Sequence, residues 1–221
     1  MGTVQKVLAV SLAYRRAAAP AVFTLKEKRS EFIAALFPAH SAEEARQAFD
    51  SVRREHRQAT HNCPAWRVGF PDTEEFSSDD GEPSGTAGRP ILGELTRAEL
   101  FDTAVVVTRY FGGVKLGVRG LIDAYAAAAA GVIGMARAET VEPFRRVILH
   151  SDYSRFNDLA RALRSVASKE RCRTEYLEDV RITVLISPER EDELRRLLDE
   201  YDVKNLQTIP AEWVPGVIVS Q

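Results

Sequence analysis

The chain lacks the residues that staple small secreted domains. Its 221 residues include only two cysteines, Cys63 and Cys172. Two cysteines exclude a disulfide framework and a zinc quartet, and they fit a reducing, cytoplasmic setting. An excess of either charge is missing as well. Thirty Lys and Arg face 32 Asp and Glu, for a formal net charge of -2. This balance excludes a uniformly basic nucleic-acid module but leaves room for a local patch. No unbroken run of apolar residues reaches the roughly 18 that a membrane span requires, so no span is expected. The short apolar run from Val7 to Tyr14 has Lys6 before it and Arg15-Arg16 after it. A secretory signal carries its charges in front, so this segment reads as a ragged terminus. With 45% hydrophobic and 28% charged residues, the composition is globular and not disordered or collagen-like. The length allows one large domain or two small ones.

What is present divides into two halves. In the first, Val22 to Leu25 and Phe32 to Phe37 read as strands, the second ended by Pro38. Ser41-Ala42-Glu43-Glu44 matches a capping box, with Ser41 accepting from the Glu44 amide and Glu44 reaching back to that of Ser41. The spacing of Ala45, Ala48, Phe49, Val52 and His56 predicts a helix to about residue 57. A strand is expected from Ala65 to Phe70, and a loop over residues 71–90, dense in glycine and proline. Ala104 to Val107 is continuously apolar and reads as a central strand covered on both faces. Gly112 to Gly120 is a glycine-rich turn, followed by an alanine-rich helix from about Leu121 to Ala136 that can lie close to a sheet.

The second half predicts a strand at Arg146 to His150 and a helix through Phe156, Leu159, Leu163 and Val166. Strands at Arg171 to Leu177 and Arg181 to Ile186 follow, then a helix from Pro188 to Tyr201. A last strand is expected at Val217 to Val219 or just before it. The order β-α-β-β-α-β is the split unit of a ferredoxin-like sandwich. A polar stretch near residues 138–144 marks the boundary, giving domains of 1–140 and 141–221. The first half carries 17 basic and 17 acidic residues, so it is not a basic module.

Three constellations offer chemistry. Residues 72–82 hold six acids and no base, and run into Asp79-Asp80-Gly81-Glu82-Pro83-Ser84-Gly85-Thr86. Clustered carboxylates need an arginine, a cation or hydration. Mg²⁺ would suit such oxygens, although the spacing is not that of an EF-hand. The loop also reads as a solvated one whose Ser84 and Thr86 cap the next helix. Arg109-Tyr110-Phe111-Gly112-Gly113-Val114-Lys115 continues to Arg119-Gly120. Free amides at a helix start and exposed glycines favour anions. Lys115 and Arg119 add charge, and Tyr110 and Phe111 offer faces on which a base can stack. The same residues also read as scaffold, with glycines shaping the turn and Arg109 paired to Asp79 or Asp80. In Thr60-His61-Asn62-Cys63, His61 and Cys63 share a strand face. A thiol beside an imidazole is the nucleophile–base pattern, but a lone cysteine at a strand start is more often buried and inert.

Four stretches in register resemble the IMPACT family, in its two-domain bacterial, YigZ-like form. They are Lys28-Arg29-Ser30-Glu31-Phe32-Ile33, Thr60 to Cys63, Asp79 to Gly88 and Val107 to Gly113, extended by Leu116-Gly117 and Ala124-Tyr125. Two positions depart from the family pattern: Arg119 stands where glycine is usual, and Pro64 where an aromatic is usual. Proline lacks a ladder donor, which puts that strand start at an edge or turn. The resemblance implies an α+β chain. Its N-terminal domain would be an α/β sandwich like the second domain of certain ribosomal proteins, and its C-terminal domain would be ferredoxin-like and similar to one in elongation factor G. Eukaryotic members resemble regulators of translation that act with help from an extra domain missing here.

Two functions are expected from these readings. The first is a non-enzymatic, cytoplasmic protein without cofactor or metal that regulates translation by binding RNA, the ribosome or a translation factor. Its contacts would be His61, Asp79, Asp80, Glu82, Ser84, Thr86, Arg109, Tyr110, Gly112, Gly113, Lys115 and Arg119. The second is a hydrolase-like enzyme, with the acidic loop and His61 around a glycine-floored cleft and a carboxylate or histidine moving the proton.

Overall fold

The computed structural model describes residues 13–70, 72–142, 144–168, 171–201 and 213–214. They form two compact units, one spanning Tyr14–Val141 and the other beginning at Glu142.

The first unit is built on a five-stranded antiparallel sheet ordered β2-β3-β7-β4-β5. Its strands are β2 (Ala21–Glu27), β3 (Ser30–Pro38), β4 (His61–Val68), β5 (Glu74–Ser77) and β7 (Thr103–Tyr110). Side chains alternate across a pleated strand, and here both faces are apolar. On one face Phe32, Ala34, Leu36, Cys63, Ala65, Val105 and Val107 pack beneath two helices, α2 (Gly88–Arg97) and α3 (Gly117–Met135). On the other, Ala35, Trp66, Ala104 and Val106 meet α1 (Ala42–Glu55). The continuous apolar run of β7 follows from its position between these layers. Helix α3 lies very close to the sheet: a Cβ at Gly131 would come within 2.2 Å of the Phe23 ring. This helix is 19 residues long and apolar enough by composition to cross a membrane. Arg119 and Asp123 interrupt it, and Leu121, Ala124, Tyr125, Ala128, Ala129 and Val132 are buried within the unit, so it is the core helix of the unit.

The capping box forms with one difference. The Glu44 amide donates to Ser41 Oγ at 3.2 Å, but the Glu44 carboxylate takes the His40 amide at 2.8 Å and not that of Ser41. Strand β4 begins at His61, earlier than the apolar run indicates. The stretch expected to be loop contains β5 and the first turn of α2. Pro64 keeps its place because its carbonyl accepts from the Ser78 amide just beyond the last β4–β5 pair, Ala65↔Ser77. Backbone N and O of one strand residue point the same way, so its missing donor faces an end of the ladder.

A second, three-stranded sheet, ordered β6-β1-β8, joins β1 (Tyr14–Ala17), β6 (Leu100–Phe101) and β8 (Ala138–Val141). Tyr14 is thus a buried strand residue and no ragged end, while residues 7–12 lie outside the described residues. Asp102, left-handed at φ 46°, links this sheet to the larger one. Its carboxylate accepts from Tyr14 Oη at 2.6 Å and the Gly69 amide at 2.9 Å, with His40 Nδ1 at 3.3 Å.

The second unit has β9 (Phe144–Ser151), α4 (Phe156–Leu163), β10 (Cys172–Tyr176), β11 (Val180–Ile186), α5 (Glu191–Glu200) and β12 (Trp213–Val214). The sheet order β10-β11-β9-β12, antiparallel throughout, is the ferredoxin-like arrangement expected from the β-α-β-β-α-β pattern. Leu149, Ile182 and Val184 pack with Leu159, Leu163, Leu194 and Leu198 of the two helices. The last strand, expected at Val217 to Val219 or just before it, is found just before it as β12, while residues 217–219 lie outside the described residues.

Candidate functional site

Strands β3, β7 and β4 bring three of the sequence motifs to one end of the sheet. Arg109 stands in register with Phe32 on β3 and His61 on β4. The acidic loop folds over them. Arg109 Nη1 donates to Glu82 Oε1 at 2.6 Å, with only 6% and 4% of the two side chains exposed. Tyr125 Oη, from α3, donates to the same oxygen at 2.9 Å, and His61 Nε2 lies 3.8 Å from it. Arg109 Nη2 reaches Ser30 Oγ at 3.4 Å. Its guanidinium carbon sits 5.4 Å from the Phe32 ring centre and 5.3 Å from that of Phe111. The expected pairing of Arg109 with Asp79 or Asp80 is therefore corrected. The partner is Glu82, because the two aspartates are already committed to backbone amides.

Asp79 takes the Gly85 amide at 2.7 Å and those of Ala87 and Gly88 at 2.9 Å each. It caps α2, and the capping role expected of Ser84 and Thr86 is corrected accordingly. Thr86 Oγ1 donates instead to the Pro83 carbonyl at 2.6 Å, and Ser84 is exposed. Asp80 Oδ2 accepts the Asn62 amide at 2.6 Å, and its carbonyl lies 2.8 Å from His61 Nδ1, which therefore bears hydrogen. Asn62 in turn accepts from Thr108 Oγ1 at 2.7 Å.

Burial tends to raise the Asp79 carboxyl, but the three amides and Arg89 outweigh it and hold the group below its ordinary value. A depressed folded value stabilises the fold above the unfolded carboxylate pKa, near 3.9, and the contribution is lost as pH falls below it. The Asp79→Ala variant is expected to lose about 1–2 kcal/mol at neutral pH, the worth of a helix cap. Its deficit against the parent should shrink below about pH 4. Urea denaturation at pH 7 and pH 3 measures both quantities.

Cys63 is fully buried. Its Sγ donates to the Asp79 carbonyl at 3.2 Å and meets Tyr125 Oη at 3.5 Å. Burial, aided by the Glu82, Asp80 and Asp79 carboxylates, pushes its thiol up to about 12. A thiol protonated at neutral pH is no nucleophile. Burial, with Cys63 and Glu82 nearby, also raises the Tyr125 phenol. Among the described residues no group of three or more His, Cys, Asp and Glu could hold a metal ion. A cleft of about 320 Å³ does open beside the site, lined by residues that include Leu25, Lys28, Leu116, Gly120 and Ala124. None of its lining residues belongs to the acidic loop, and His61 is not among them.

The glycine turn leaves this buried cluster for the surface. Phe111 is 45% exposed, and Gly113, Lys115 and Arg119 are exposed as well. Arg119 makes a 3.1 Å ion pair with Asp123 one helical turn away. Tyr110 Oη meets His56 Nδ1 at 3.0 Å. Gly112 is where the chain cannot spare space: a Cβ there would come 1.9 Å from the Arg29 carbonyl oxygen. The Gly112 amide donates to Ser30 Oγ at 3.3 Å, and that of Phe111 to Thr60 Oγ1 at 3.1 Å. Ser30, Thr60 and Tyr125 lie in the motifs but were not among the expected contacts, and the structure adds them to this cluster. Tyr125 did leave a signal, as a lone hydroxyl within an alanine run.

Comparison with known proteins matches residues 28–133 to the Impact N-terminal domain. The IMPACT family member YigZ of Escherichia coli is 31% identical over 197 residues, covering 88% of this chain and 96% of its own. The IMPACT family member YvyE of Bacillus subtilis is 46% identical over 111 residues. That match covers 47% of this chain and 51% of the relative, so it spans about half the length of YvyE. A solved structure described as a hypothetical protein superposes with a TM-score of 0.66 at 27% identity, covering 95% of this chain and 98% of that one.

Proposed function

The chain belongs to the IMPACT family, and from that membership we propose that it is a non-enzymatic regulator of translation, acting by binding RNA, the ribosome or a translation factor. One observation carries the non-enzymatic part. The carboxylates of the acidic loop are each engaged within the fold: Glu82 accepts from Arg109 and Tyr125, Asp79 from three amides, and Asp80 from the Asn62 amide. Carboxylates committed to the fold in this way favour a holding role over proton transfer, and burial keeps the Cys63 thiol protonated. These bonds hold the acidic loop against the end of the sheet. What this end of the sheet presents outward is an exposed ring with Lys28, Arg29 and Lys115 exposed on the flanking turns, a surface suited to a partner and not to a reaction. The family resemblance favours translation as the setting.

Co-sedimentation of the purified protein with ribosomes, at low and at physiological salt, tests the reading alongside a cell-free translation assay. Association that weakens with salt and a change in translation yield are expected. A protein that stays in the supernatant at both salts and leaves the yield unchanged would overturn the proposal.

A further inference from the structure

Resting on that reading, we infer that Phe111 is a stacking platform for an unpaired RNA base, with Lys28, Arg29 and Lys115 on the adjoining turns to take the neighbouring phosphates. Four observations converge on this ring. It is an exposed aromatic, at 45%, on a segment that is otherwise pinned. Its amide is held by Thr60 Oγ1, and the next residue is wedged against the Arg29 backbone. The ring has a charged underside, since the Arg109 guanidinium lies 5.3 Å from its centre and is itself fixed by Glu82. Finally, exposed Lys28, Arg29 and Lys115 stand on the two turns that meet at Gly112, while Glu31 of the same hairpin is paired to Lys26.

This gathering is a consequence of topology. The β2–β3 turn brings exposed Lys28 and Arg29 to the Gly112 side, and Lys115 follows four residues after the ring. Single strands are bound this way in general, with bases stacking on aromatic faces and cations tracking the backbone. A duplex keeps its bases stacked inside and has none to offer the ring.

Fluorescence anisotropy with a short labelled single-stranded RNA, and with the same strand in a duplex, tests the inference. The single strand should bind more tightly. Phe111→Leu should weaken it by roughly 5- to 150-fold, the span of one base–aromatic stack, while Phe111→Trp retains or improves binding. Lys28→Ala with Arg29→Ala should flatten the dependence of log K on log salt by about 0.7 for each phosphate that is no longer neutralised. Thermal melts of the variants should match the parent, because the ring is at the surface. Equal binding of duplex and single strand, or full affinity in Phe111→Leu, would overturn the platform. Ribosome association without any affinity for the oligonucleotide would overturn it too, while leaving the role in translation standing.

Discussion

Glu82→Leu is expected to destabilise the first unit by about 3–5 kcal/mol, the usual result of leaving a buried arginine without its carboxylate. Arg109 and Tyr125 both direct a donor at the one Glu82 oxygen, so a single exchange strands two groups. The companion experiment separates the worth of the pair from the penalty of breaking it. In the double variant Glu82→Leu, Arg109→Met no charge is left behind, and buried ion pairs replaced by apolar residues of similar volume are often neutral or better. The double variant should therefore recover most of the stability. Urea denaturation followed by circular dichroism and Trp66 fluorescence measures the cycle. If Glu82→Leu costs less than about 1 kcal/mol, the value of an ordinary exposed pair, the cluster does not clamp the acidic loop to the sheet.

Gly112→Ala is the other substitution with a large expected effect. The added methyl would overlap the backbone of Arg29, with its carbonyl oxygen at 1.9 Å and its carbonyl carbon at 2.1 Å. No rotamer change can relieve a clash with main chain, so the β2–β3 turn and the Phe111 loop must part. The cost is on the order of 3 kcal/mol, at the upper end for overpacking. Gly113→Ala provides the contrast. It has open space around its Cβ but φ at +82°, so its cost is the left-handed penalty of roughly 1–2 kcal/mol. A Gly112→Ala protein as stable as the parent would mean that the two turns are not held against each other.

How much of this was legible in the sequence depended on the scale of the signal. The ferredoxin-like unit was, because α4, β11 and α5 carry a clear apolar period and β9 a compact apolar run. β7 was as well, since only a strand covered on both sides tolerates four consecutive apolar residues in such a place. Helix α2 is hard to see although Ile91, Leu92 and Leu95 keep a helical spacing, because Gly88 and Pro90 at its start resemble the loop before it. Strands β1, β6 and β8 were not legible: two to four residues are too few for a period, and their pairing is set by parts of the chain far apart. At the site, the motifs that meet were legible but their pairings were not. Arg109 had three nearby carboxylates to choose from, and the choice was made by amides. Asp79 and Asp80 are taken by backbone donors whose positions exist only after the loop has closed. Asp102 gave no sign at all, since neither Tyr14 nor His40 is near it along the chain.

The small sheet has a mechanical consequence. Strand β1 opens the first unit and β8 closes it, and they lie side by side with Tyr14 opposite Val141. The two ends of a 128-residue fold, Tyr14 to Val141, thus leave from the same place, like the two teeth at the mouth of a zip. Tension applied through those ends peels β1 from β8 one rung after another instead of shearing all rungs together, so the seam parts at low force before the five-stranded sheet bears any load. Slack ends, by contrast, let the unit be grafted into a loop of another protein without stretching either of them.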